Sequence, residues 1–122
     1  MSFQSILRQL LQRTPGAIGA VFLDQEGEAV ELWAEAVFDI APEDLRAVGA
    51  YEGVLMADLK RACERIGAGK FERLTIDFER AKILSCDLKE GYYLVLVVAA
   101  DANEGIAWQR LRQCRERLLT EL

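Results

Sequence analysis

Residues 90–108 read EGYYLVLVVAADANEGIAW, and the first half of that stretch decides the architecture. Nine consecutive residues, Tyr92 to Ala100, carry no charge. A membrane-spanning helix needs roughly 20 apolar residues, so the run is about half the length required. Its length suits a strand. Because it is apolar on both faces, it predicts a central strand covered above and below. Asp101 and Asn103 break the run, and Asn103 is placed to cap a helix over 104–121. Ala107, Leu111, Cys114, Leu118 and Leu122 form the apolar stripe of that helix.

Two further strands precede the central one. FERLTIDF (71–78) and AKILSCDL (81–88) are joined by Glu79-Arg80, and Lys89-Glu90-Gly91 leads into YYLVLVVA (92–99). Both connections are of hairpin length. In the first strand Leu74, Ile76 and Phe78 share one face, and Arg73, Thr75 and Asp77 the other. Toward the N-terminus, AIGAVFLD (17–24) predicts another strand buried on both faces. A turn at Asp24–Gly27 leads into alternating EAVELW (28–33), which completes a hairpin.

Helices fill the rest. Phe3, Ile6, Leu7, Leu10 and Leu11 make an amphipathic stripe over 2–13, with Ser2 as cap and Pro15-Gly16 as stop. Pro42 opens a long helix over 43–66, with Glu43 and Asp44 in its first turn and Gly67 and Gly69 at its end. Its predicted stripe is Leu45, Val48, Tyr51, Leu55, Leu59, Ala62 and Ile66, widened by Val54, Met56 and Cys63. Gly49 and Gly53 interrupt it. Each costs up to ~1 kcal/mol relative to alanine, so they are either tolerated or serve a close approach. The order is α-β-β-α-β-β-β-α, an α+β chain with a five-stranded antiparallel sheet.

Composition bounds the function. At 122 residues the chain suits one domain, and 52% apolar content supplies a sizeable core. A net charge of −5 and a pI of 4.8 argue against nucleic acid, and less strongly against an anionic membrane surface. Cys63, Cys86 and Cys114 are too scattered for a disulfide framework or a zinc site, and each is expected as a small buried hydrophobe. The N-terminus MSFQSILRQLLQRT lacks the features of a secretory signal, so a cytoplasmic location is expected.

Two motifs within this layout carry a resemblance. PGAIGAVFLDQEGEAV (15–30) is similar to the glycine-alanine strand, acid-glycine turn and second strand of the roadblock / dynein light-chain family, in its MglB-like bacterial branch. LKEGYYLVLVVAADANEGIAWQRL (88–111) resembles that family's apolar fifth strand and Ala-Asn-x-Gly helix start. The likeness covers essentially the whole chain. It implies a roadblock (profilin-like) α/β sandwich with the long helix on one face of the sheet and two helices on the other. It implies a homodimer through the third strand and the long helix, joining two sheets into one. The implied contact residues are Val48, Tyr51, Leu55, Leu59, Phe71, Leu74, Ile76 and Phe78. The residues agree with that geometry. An edge strand at 71–78 invites another chain, and the stripe of the long helix is wider than one sheet face needs.

The resemblance also implies a partner, a Ras-like small GTPase whose nucleotide state the dimer modulates. Arg46, Lys60, Arg61, Arg65 and Arg73 are the candidate contacts, basic groups for an acidic surface. A structural adaptor in a motor or signalling complex is the alternative. Nothing in the residues calls for a catalytic site, a cofactor or a metal. There is no phosphate loop or ligand cluster, and GAIGA (16–20) lacks the Lys-Ser/Thr and the strand-then-helix setting of one. With no histidine, histidine-based triads are excluded. Asp24, Glu26, Asp101 and Glu104 are expected near one end of the sheet as capping acids. Glu52, Asp58 and Glu64 are expected beside the basic residues on the solvated face of the long helix. Trp108 is expected to pack near the start of the last helix, and Trp33 to end an edge strand.

Overall fold

The computed structural model describes residues 2–122. In chain order the elements are α1 (Phe3–Arg13), β1 (Ala17–Leu23), β2 (Ala29–Ala34), α2 (Pro42–Glu64), β3 (Arg73–Asp77), β4 (Ala81–Asp87), β5 (Tyr93–Ala99) and α3 (Glu104–Glu121). A single 3-10 turn at Ala36–Phe38 separates β2 from α2. The strand order is β2-β1-β5-β4-β3, with every neighbouring pair antiparallel. β5 is therefore the middle strand, and β1 beside it is buried along its whole length.

Alternation along the strands splits the core in two. Leu94, Leu96 and Val98 join Phe22, Leu84 and the inward faces of α1 and α3 on one side of the sheet. Tyr93 and Val95 join Val21, Leu23 and α2 on the other. The capping predictions hold at both terminal helices. The Ser2 hydroxyl accepts from the Ser5 N–H at 3.1 Å, and Asn103 Oδ1 accepts from the Ile106 N–H at 3.0 Å. β3 is shorter than expected, so Phe71 and Phe78 lie just outside it.

The long helix departs from its predicted stripe. The residues it buries are Leu45, Gly49, Glu52 and Met56. Of the predicted stripe only Leu45 is among them, while Tyr51 is 77% and Ile66 78% exposed. The reason is steric. A Cβ on Gly49 would lie 2.8 Å from Leu23 Cδ2, and one on Gly53 would enter the Tyr93 ring. The two glycines bring the backbone down onto the sheet, where Tyr93 Oη donates to the Gly49 carbonyl at 2.9 Å. The helix thus seats on its smallest side chains, and the apolar row beside them is left on its flank.

Glu52 corrects a second expectation. It lies under the helix rather than on a solvated face, with 5% exposure. Its Oε2 accepts from the Ser85 hydroxyl of β4 at 2.6 Å. Burial raises the carboxyl pKa, and the Ser85 hydrogen bond only partly opposes that. The folded chain therefore holds this proton more tightly than the unfolded chain. The stability linked to it is fully present below the ordinary glutamate range and is lost as pH rises through the raised value. Glu52→Gln keeps an acceptor for Ser85 but removes the ionisation. The melting temperature of this variant relative to the parent is expected to climb as pH rises from about 4.5. A pH-independent difference would show that the Glu52 ionisation does not act on the fold.

The cysteines divide by burial. Cys86 and Cys114 are buried, and burial pushes both thiols up to about 12. Cys63 is half-buried on α2. Mass spectrometry after brief alkylation at about pH 8 is expected to find one modified cysteine per native chain, Cys63, and three after denaturation. Modification of Cys86 or Cys114 in the native chain would contradict the packing.

Candidate functional site

The two open edges of the sheet are chemically different. At β2 the ladder to β1 is broken by a bulge. Phe22 faces Glu31 and Leu23 faces Ala29, so Val30 is the extra residue. Glu28, Glu31 and Glu35 lie along or beside this strand, within a run of eight acids and no base between Arg13 and Arg46. Bulges and charges are the devices by which edge strands resist pairing with another chain. β3 at the opposite edge has no bulge, and the two charges within it, Arg73 and Asp77, are of opposite sign. Its five residues pair with β4 from Arg73↔Cys86 to Asp77↔Lys82 without a register break.

An apolar shelf adjoins β3. α2 lies mainly over β1, β2 and β5, and it reaches β4 through the Glu52–Ser85 hydrogen bond and the Lys60–Asp87 pair, so β3 is the strand it covers least on that face. The flank of α2 turned toward β3 carries Val48, Tyr51, Leu55 and Leu59, spaced for one side of a helix. On the sheet beside it lie Phe71, Leu74 and Ile76, all half-buried, with Phe78 58% exposed. All eight residues predicted for a dimer contact thus fall on one side of the sheet. This apolar surface lies next to the bulge-free edge of the sheet.

The five predicted basic contacts do not form one patch. Arg46 and Arg65 lie near opposite ends of α2, about 28 Å apart along a helix with 1.5 Å rise per residue. Lys60 pairs with Asp87 and lies over the Phe71 ring, and Arg61 pairs with Asp58 on its own helix. Arg73 lies on the other face of the sheet, its guanidinium 4.9 Å from the centre of the Trp108 ring. Of the five, only Arg46 and Arg65 carry no ion pair, hydrogen bond or ring contact from their side chains among the described residues. A groove of about 920 Å3 passes the start of β3, with Leu59, Cys63 and Phe71 toward α2 and Arg73, Trp108 and Arg112 toward α3.

The remaining candidate acids are also separated. Asp24 follows β1 and Asp101 follows β5, and since these strands are antiparallel the two lie at opposite ends of the sheet. Asp24 Oδ1 accepts from the Glu26 and Glu28 N–H groups at 2.9 and 3.0 Å, so its role is to close the β1–β2 turn. Among the described residues no cluster of His, Cys, Asp or Glu is arranged to hold a metal ion, and no helix is long and apolar enough to cross a membrane. Trp33 is half-buried with Arg8 over its ring, and Trp108 is buried.

With this geometry in view, a family match decides the identity. The model of the Roadblock/LC7 domain matches residues 4–98. The chain belongs to the Roadblock/LC7 family. Solved structures agree on the fold. A Roadblock/LC7 domain from Streptomyces avermitilis is similar with a TM-score of 0.84 at 16% identity, over 94% of this chain and 92% of the other. An MglB described as having a tetrameric arrangement matches with a TM-score of 0.84 at 21% identity, over 95% and 84%. MglC from Myxococcus xanthus matches with a TM-score of 0.68 at 24% identity, over the full length of both chains. Among curated protein sequences there is no significant match. The observed helix and strand order is that of this roadblock fold, with two helices on one face of the sheet and the long helix on the other.

Proposed function

We propose that this roadblock domain works as a homodimer that binds a Ras-like small GTPase and modulates its nucleotide state, with no chemistry of its own. The observation that carries the first half is the contrast between the two sheet edges. β2 is guarded by a bulge and acids, whereas β3 is regular and adjoins the apolar flank of α2. A second copy laid against β3 pairs the open edge and covers Tyr51, Leu55, Leu59 and Phe78. The self-association recorded for the MglB neighbour supports this direction. Membership of the family supports the second half. A binding protein moves a GTPase between states only by preferring one of them, so the function requires unequal affinity for the two nucleotide forms.

Affinity capture with the purified domain, run with a non-hydrolysable GTP analogue and with GDP, tests this. A small GTPase enriched in the analogue arm, followed by a changed single-turnover hydrolysis rate, is the expected result. Equal capture in both arms with an unchanged rate would leave a nucleotide-blind adaptor. Capture of no GTPase would remove the proposal. Arg46 and Arg65 are the basic groups best placed to meet an acidic partner, because their side chains are not engaged elsewhere in the chain.

A further inference from the structure

The backbone of β3 specifies how a second copy sits on it. The Phe78 N–H donates to the Ala81 carbonyl at 2.8 Å, so Phe78 turns its hydrogen-bonding groups toward β4. In an antiparallel ladder such residues alternate with residues whose groups point away. With the register Asp77↔Lys82, Ile76↔Ile83 and Thr75↔Leu84, the residues facing the free edge are Arg73, Thr75 and Asp77. These are the N–H and C=O groups a partner strand must meet.

Resting on the homodimer reading above, we infer that two copies pair through β3 in antiparallel register centred on Thr75, with Arg73 of each chain opposite Asp77 of the other. Three observations converge on this register. First, two-fold pairing about an axis normal to the sheet keeps Leu74 and Ile76 on the α2 face only if opposed residues have the same parity, which leaves registers two residues apart. Second, of these, the one centred on Thr75 overlaps all five residues of β3 and pairs all three outward-facing residues. A shift either way places one end of the strand against the turn at Glu79 or the segment before Arg73, and pairs only two. Third, the side chains match. Leu74 meets Ile76, Thr75 meets Thr75, and Arg73 meets Asp77 twice. Neither Arg73 nor Asp77 has an ion pair within its own chain among the described residues. The stacking of Arg73 on Trp108 holds its guanidinium on the same face as Asp77.

Charge exchange tests the register independently of the dimer. Asp77→Arg sets arginine against arginine at both ends of the pair, and Arg73→Asp sets acid against acid. Opposite charges facing across a strand pair are favourable and like charges unfavourable, so each variant is expected to weaken the homodimer by about ten-fold or more. A one-to-one mixture of the two variants restores both oppositely charged pairs, and it is expected to form a heterodimer as tight as the wild-type dimer. Sedimentation velocity reads all three. If wild type dimerises and Asp77→Arg dimerises equally well, or the mixture shows no recovery, the register is overturned while the dimer stands. If wild type itself is monomeric, the homodimer reading fails with it.

Discussion

Replacing Gly53 with valine is expected to destabilise the fold by about 3 kcal/mol or more, the upper part of the range for overpacking a core contact. The new side chain would occupy the space of the Tyr93 phenol. Tyr93 is buried and cannot swing into solvent without releasing its hydrogen bond to the Gly49 carbonyl. Burial, followed by the nearby Asp24 and Glu52 charges, pushes the Tyr93 pKa up to about 12, so its hydroxyl remains a donor across the ordinary range. Lifting α2 would also uncover Glu52 and Ser85. Gly105 supplies the control. Its added Cβ meets only Asn103 Oδ1, at 3.4 Å, so Gly105→Ala should change stability by no more than about 1 kcal/mol. Urea unfolding followed by circular dichroism compares the two. A Gly53→Val chain as stable as its parent would mean that α2 does not seat on the sheet through its glycines.

The second large effect concerns association. Leu55→Arg is expected to raise the dimer dissociation constant by about 100-fold or more while leaving the monomer folded, because a charge at the centre of an apolar contact has no partner there. Leu55 is 38% exposed in the single chain, so arginine there meets solvent and not the core. Val37→Arg is the matching control. Val37 is also exposed, but it lies in the 3-10 turn beyond β2, away from the α2 flank. Size-exclusion chromatography with light scattering should show dissociation for the first variant only. Equal behaviour of both would place the contact elsewhere.

Most of the fold was legible because it rests on local signals. The uncharged run at 92–100 could satisfy its composition only as a covered strand, and it became the middle of the sheet. Ser2 and Asn103 cap helices where their residue types and positions indicate. The rotation of α2 was not legible, for a physical reason. Periodicity finds the apolar side of a helix, and α2 has an apolar flank beyond the side that the sheet covers. Gly49 and Gly53 held the deciding signal, since two glycines four residues apart indicate which side lies closest to a neighbour. Glu52 was hidden by the default that a charged residue in a helix meets water, and only its partner Ser85, 33 residues away, accounts for its burial.

The candidate site was legible in part. Its eight apolar residues fall on one side, because strand alternation and helix spacing preserve such groupings. The basic residues do not, because Arg73 follows the parity of its strand to the α3 face while Lys60 and Arg61 find acids nearby. The contrast between the sheet edges was written in the chain as eight acids without a base between Arg13 and Arg46. Its meaning depends on β2 being an edge strand with a bulge, which is a matter of sheet order and not of composition.

The most direct measurement is the mass of the purified wild-type chain in solution at micromolar concentration, by sedimentation equilibrium. A chain of 13.7 kDa that pairs through β3 and α2 should sediment at twice that mass. A single species at 13.7 kDa would contradict the homodimer and, with it, the role assigned to the open edge of the sheet.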